Sequence, residues 1–415
     1  MLEQFFSAPK TLRRLRAGPS GPYIDGFAGR LLGQGYSHGT AIRYLRAAAH
    51  LGQFLLLQGK TLGDIDSSSA EAFFRHFHTC RCPQSNGGRR NHHTLFGAKC
   101  YHDYLMQMEI CPRRILENGD EPEPELVAKF GYWLRKHRGS SDSTIRQYGR
   151  CALDMVDGLG DDPARWRPRA VHDYFLDRAG RSGVGTAEKL VTGMRAVLRY
   201  LSVHGLCQAD LGNAVPKFAA WRLAELPRYL TEEQVGRVIS ACEGESPRQR
   251  RDRAIVLLLA RLGLRAGDVA GMRIGDIEWE SGTLRVSGKG GYQVRLPLPQ
   301  EVGDAIVTYL ECRPQVKNCD RLFVRSIAPY RAFLRGDSVS GLVKRAMKRA
   351  GVVTPAKGAH ALRHTAATQM LRHGVPLDKI GLVLRHRGVD TTAVYAKVDV
   401  LQLSQIAQPW PESLS

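Results

Sequence analysis

The stretch His360-Ala-Leu-Arg363-His364-Thr365-Ala-Ala-Thr-Gln-Met-Leu-Arg-His373 has apolar residues at helical spacing and neither Gly nor Pro, and predicts a helix along its length. That spacing puts His360 and Arg363 on one face, with His364 on the next turn. The face offers a guanidinium beside an imidazole that exchanges protons near neutral pH. A helix carrying only solvated basic groups would share this local sequence, so its meaning depends on what surrounds it.

Downstream, a helix is expected over Leu377–His386, ending in Leu384-Arg-His386-Arg-Gly388, where Gly388 supplies the stop. Tyr395 follows in Val389-Asp390-Thr-Thr-Ala-Val-Tyr395, and Asp390 can cap a short helix that presents the phenol. Upstream, Leu262-Gly-Leu-Arg265-Ala-Gly-Asp268 follows an apolar helix over Asp252–Leu262. There Gly263 can end one helix, Gly267-Asp268 can begin the next, and Asp268 can orient the Arg265 guanidinium. Thr283-Leu-Arg-Val-Ser287 and Tyr292-Gln-Val-Arg-Leu296 alternate apolar and polar residues around Gly288-Lys289-Gly290-Gly291, a hairpin signature with Lys289 at its tip. Helical periodicity returns at Val302–Arg313 and Ser338–Gly351, and Thr231 with Gln234 three residues on marks where this mostly α domain with a small antiparallel sheet starts.

Attack on a phosphodiester needs a nucleophile, positive charge on the non-bridging oxygens and a proton for the departing oxygen. Tyr395 can attack, with Arg265 and Arg363 favouring its phenolate, since a free phenol ionises only at about pH 10. Lys289 at the hairpin tip carries an ammonium that can donate a proton, and His386 lies close enough in the chain to bond the same phosphate. Each residue alone reads as ordinary surface or core; the ordered set does not.

The set resembles the tyrosine site-specific recombinases, also called phage integrases. The family's Leu-Gly-Leu-type turn before an Arg, hairpin Lys, His-x-Leu-Arg-His-Thr helix and Leu-x-His element ahead of a Tyr stand here at Leu264-Arg265, Gly288-Lys289-Gly290, His360–Thr365 and Leu384–Tyr395. The resemblance implies that Tyr395 attacks to give a 3′-phosphotyrosine and a free 5′ hydroxyl. It further implies that Arg265, Arg363 and His386 hold the phosphate, Lys289 is the general acid and His360 assists proton transfer. No cofactor, ATP or metal is implied, because the phosphotyrosine conserves the bond energy. One departure is Arg385, where many members carry Gly; Arg385 and Arg387 read as added phosphate contacts that could alter how His386 is presented. The Leu-Arg-His-Arg block resembles recombinases borne on mobile elements, some acting as adjacent sets.

Composition agrees with a nucleic-acid partner. Lys and Arg number 60 against 40 Asp and Glu, a formal charge of +20 that concentrates polyanions, while 43% hydrophobic residues are those of a folded protein. No run approaches a membrane span and the N-terminus has no signal-peptide character, so a cytoplasmic protein with reduced thiols is expected from the nine scattered cysteines. Lys344, Arg345, Lys348 and Arg349 share one helical face suited to DNA backbone.

Two earlier stretches are alike at an offset of 103 residues, Phe27, Leu31, Ser37, Ile42 and Arg43 answering to Phe130, Leu134, Ser140, Ile145 and Arg146, as in a duplicated helical module. Helices are expected at Tyr23–Gln34, Thr40–Gln58 and Ser69–His78, then at Leu126–His137, Ser143–Gly158, Pro168–Ala179 and Thr186–Leu206. Pro112–Pro124 and Ala219–Arg228 read as linkers. The expected plan is mainly α and multidomain: an accessory helical domain at 1–115, a core-binding (SAM-like) helical DNA-binding domain at 116–222, and an α+β catalytic domain with a C-terminal tail at 223–415. The minimal family architecture does not account for the first of these. In the tail, Leu401, Leu403 and Ile406 could pack on their own domain or on a neighbouring subunit.

His78, Cys80, Cys82 and His92 are of zinc-ligand type, though Cys-x-Cys is tighter than the usual spacing. A basic loop around Arg89 and Arg90 against phosphate is the preferred reading of that segment. The expected partner is double-stranded DNA, bound by a homo- or hetero-tetramer that can include related recombinases, with no membrane. The expected function is site-specific recombination for integration, excision or transposition of a mobile element. A type IB topoisomerase-like nicking and resealing enzyme, or a non-catalytic DNA-binding regulator that kept the fold, would share parts of the sequence.

Overall fold

Helix formation begins where short polar or glycine-rich turns release the chain into apolar periodicity. A computed structural model describes residues 1–65, 67–76, 80, 92–111, 124–216, 229–287, 293–333, 335–355, 357–386, 392 and 395. Five helices come first: α1 (Pro9–Ala17), α2 (Gly21–Gly33), α3 (His38–Leu57), α4 (Ser67–His76) and α5 (His92–Gln107). Ile24, Phe27 and Leu31 of α2 bury against Leu45 and Phe54 of α3 and Tyr101 and Leu105 of α5. Full burial of such side chains stabilises by about 2 kcal/mol each. Gly97 lets α5 close on α3, because a Cβ there would lie 2.9 Å from the Tyr44 Cα.

Four more helices follow: α6 (Glu125–Arg138), α7 (Asp142–Leu159), α8 (Pro168–Gly180) and α9 (Val184–Val203). Ser141 caps α7 by accepting a bond from the Thr144 amide at 3.3 Å, and Phe130, Leu134, Met155, Phe175, Val197 and Leu201 form the core. Phe27 and Leu31 on α2 and Phe130 and Leu134 on α6 occupy matching inward positions of similar helix pairs, α2–α3 and α6–α7.

The remaining segment holds α10 (Glu232–Ser240), α11 (Pro247–Leu262), α12 (Ala266–Gly271), β1 (Ile277–Glu278), β2 (Thr283–Ser287), β3 (Gln293–Pro297), α13 (Gln300–Cys312), α14 (Gly336–Arg349), α15 (Ala359–Arg372) and α16 (Leu377–Leu384). Thr231 and Gln234 form the capping box of α10. The strands make one antiparallel sheet in the order β1-β2-β3, with Ser287 opposite Gln293. The central α11 is buried along Ala254–Ala260 and packs against α13 and α15. Mostly helical with a small antiparallel sheet, the architecture is that expected from the sequence.

By internal contacts, residues 1–116 and 225–415 form one compact unit and 117–224 a second. Within the first unit, the Tyr330 amide donates to the Gln34 carbonyl at 3.1 Å, and Ala328 packs on the core of α2, α3 and α5. No described helix is long and apolar enough to cross a membrane.

Candidate active site

The site is assembled by three helix termini in the C-terminal segment. Gly263 ends α11 in the left-handed region at φ 59°, where a Cβ would come within 2.7 Å of Leu384. The chain then turns so that Arg265 stands at the N-cap of α12. The end of α16 meets this turn, and α15 packs on both α11 and α16.

Arg363 projects from the buried face of α15 and is 5% exposed. It donates through Nη1 to the Gly263 carbonyl at 2.5 Å and through Nη2 to the Leu384 carbonyl, so it ties α15 to the ends of α11 and α16. Burial, followed by the neighbouring Arg265, lowers its pKa to about 10. Arg265 Nη2 donates to the Arg385 carbonyl at 2.8 Å, which fixes both guanidiniums on adjacent carbonyls of one turn.

Tyr395 is 2% exposed, packed with Ala367, Leu371, Ile380 and Leu384. Its hydroxyl lies 2.9 Å from His364 Nδ1, and His364 Nε2 lies 2.8 Å from His360 Nε2. The two histidines are one turn apart on α15, so the helix itself supplies two of the three groups in this hydrogen-bonded chain. His386 stacks parallel to the tyrosine ring at 6.3 Å between centroids, with Nδ1 2.7 Å from the Thr392 hydroxyl. Burial and nearby positive charge push His364 and His386 down to about 4, and burial lowers His360 as well. Neutral imidazoles therefore surround the phenol at neutral pH. Burial raises the Tyr395 pKa, and the Arg363 charge opposes that rise.

The structure brings Arg265, His360, Arg363, His386 and Tyr395 into one cluster, while Lys289 lies outside the described residues, as do Arg387, Gly388, Asp390 and the tail. His364, given no role by the sequence reading, is the direct partner of Tyr395; its signal was the i, i+4 spacing from His360. Two expectations are corrected. Asp268 orients Arg385 rather than Arg265, through a pair of 2.6 Å in which the Arg385 side chain is 5% exposed. And α16 stops at Leu384, with Arg385 itself taking the left-handed cap at φ 55°. His78 and Cys82 also lie outside the described residues, as does the His92 side chain. Lys344, Arg345, Lys348 and Arg349 are all exposed on α14, where Arg349 donates to the Ala241 carbonyl at 3.2 Å.

Arg385 thus holds a conformation that suits glycine, at a cost of about 1 kcal/mol, offset by a buried ion pair whose one-sided removal costs about 3 kcal/mol. Among the described residues its Nε and Nη1 have no hydrogen-bond partner. Arg385→Gly is expected to lower unfolding stability by about 2 kcal/mol, read from the urea midpoint at constant slope. A midpoint above wild type would show backbone strain to outweigh the pair.

Compared with known proteins, residues 228–401 match the model of the phage integrase family. The putative integrase/recombinase y4rA of Sinorhizobium fredii is 33% identical over 415 residues, covering 99% of this chain and 99% of its own length. The chain belongs to the phage integrase family. It is accordingly a site-specific DNA recombinase of the tyrosine type, an enzyme that cleaves and rejoins DNA strands. Tyrosine recombinase XerA of Pyrococcus furiosus is 30% identical over 287 residues, spanning 68% of this chain and 93% of its own. A lambda integrase dimer solved on a COC′ core site shares the fold, with a TM-score of 0.52 at 16% identity over 74% of this recombinase and 87% of that chain.

Proposed function

We propose that this recombinase cleaves duplex DNA through Tyr395, and that the observation carrying this is the placement of its hydroxyl 2.9 Å from a neutral His364 on the helix that also presents Arg363. The phenol oxygen attacks phosphorus, the bond to the 5′ oxygen breaks, and the products are a 3′-phosphotyrosine and a 5′ hydroxyl. Arg265, Arg363 and His386 bind the non-bridging oxygens, and Lys289 protonates the leaving oxygen. With His364 Nδ1 as acceptor, its Nε2 must carry the hydrogen and donate to His360 Nε2. Loss of the phenolic proton then runs along α15, from Tyr395 to His364, with His360 taking the Nε2 proton. Rejoining reverses these transfers at a new 5′ hydroxyl.

In this reading 1–115 is an accessory module, 116–222 the core-binding module and 223–415 the catalytic domain. The enzyme works in the cytoplasm as a tetramer on double-stranded DNA, with or without related recombinases, and moves a mobile element. The +20 charge and the likeness to the putative integrase/recombinase y4rA support that assignment.

A duplex nicked beside the cleavage position lets the cut fragment escape and should trap a covalent complex with wild type and none with Tyr395→Phe. Failure of wild type on its cognate site would overturn the proposal. Single-turnover cleavage carries a pH signature as well. The folded His364 binds its proton only near pH 4 instead of the usual 6.5, so the acceptor survives as pH falls through 6.5 and is lost through about 4. A rate profile that titrates near 6.5 in protein still folded would contradict the His364 assignment.

A further inference from the structure

We propose that the N-terminal helical module binds a borderline-soft divalent cation, zinc by ligand preference, through His50, His76 and Cys80. One ligand atom from each residue lies within 4.8 Å of the others. Cys80 Sγ is 3.2 Å from His50 Nε2, against about 3.6 Å between sulfur and nitrogen on a tetrahedral zinc, so an ion enters with shifts of a few tenths of an ångström on that side. His50 comes from the middle of α3 and is 2% exposed, whereas His76 ends α4 and Cys80 follows four residues on. That His-x₃-Cys step has the length of the paired-ligand spacings of structural zinc sites.

The surroundings shelter a site of three protein ligands, which leaves one position of a tetrahedral ion open. The His50 ring packs 5.2 Å from Phe73 and 5.4 Å from His76, and Phe54 lies 4.9 Å from His76, which gives the ligands an apolar shell. Each imidazole offers a lone pair in its neutral form. Binding forms two metal–nitrogen bonds and one metal–sulfur bond and releases the Cys80 thiol proton to solvent, with no redox change. The ion would fasten the chain beyond α4 to α3.

Full-length protein purified without an affinity histidine tag should contain zinc near one ion per chain by elemental mass spectrometry. Replacement by cobalt(II) should give the thiolate-to-cobalt charge-transfer band in the near ultraviolet. Cys80→Ser should abolish that band, and Cys80→Ser and His76→Ala should each weaken cobalt binding by at least about tenfold. His76→Cys should restore binding, and Cys151→Ser, in the other compact unit, should leave it unchanged. Wild type that takes up neither zinc nor cobalt overturns the proposal, as do Cys80→Ser and His76→Ala proteins with the wild-type cobalt spectrum.

Discussion

Arg363→Ala is expected to damage fold and reaction together. Its guanidinium is 5% exposed and bonds the carbonyls of Gly263 and Leu384, so its removal orphans two acceptors where α11, α15 and α16 meet. Each orphaned buried group costs about 1–3 kcal/mol, so chemical unfolding should show a loss of about 3 kcal/mol. Arg363 is also one of the two guanidiniums on the non-bridging oxygens in the proposed reaction, and losing such a preorganised donor lowers rate by about 10²–10³-fold. Arg363→Lys keeps the charge but cannot span both carbonyls, and should recover stability only in part. Single-turnover cleavage within tenfold of wild type in Arg363→Ala would remove Arg363 from the phosphate site.

Tyr395→Phe separates chemistry from structure. The ring sits among Ala367, Leu371, Ile380 and Leu384, and phenylalanine keeps that packing while losing one hydrogen bond to His364. Stability should change by no more than about 1 kcal/mol. DNA affinity, measured by titration at fixed salt, should stay within about threefold, since the phosphate contacts that set it are untouched. Strand cleavage should fall by at least about 10³-fold, because phenylalanine has no oxygen to attack phosphorus. Residual cleavage within tenfold of wild type would mean that another group attacks.

These effects were legible in the sequence to different depths. The helices at 336–349 and 359–372 were expected within two residues and that at 247–262 from Asp252 onward, because long apolar periodicity set by core burial leaves few alternatives, whereas the polar first turns of the last carry no such signal. The helix over His92–Gln107 was not: it packs through Gly97 and Ala98 on a partner 40 or more residues away, and small residues leave a weak periodic signal. The six ordered catalytic candidates could be picked out because their chemistry is rare in combination. The wiring between them could not. Whether Asp268 reaches Arg265 or Arg385 depends on Arg385 adopting φ 55°, and a left-handed arginine has no signature in one chain. The contact of His364 with Tyr395 depends on how α16 returns the chain to α15. The same limit applies to His50, 26 residues before His76 and far outside any short ligand spacing.

The central claim is that the Tyr395 oxygen becomes the 3′-phosphate ester. The most direct measurement is peptide mass spectrometry of the complex trapped on a nicked duplex, after nuclease and protease digestion. The account predicts one nucleotide-bearing peptide, modified at Tyr395. A nucleotide on any other residue, or a trapped complex that persists in Tyr395→Phe, would contradict it.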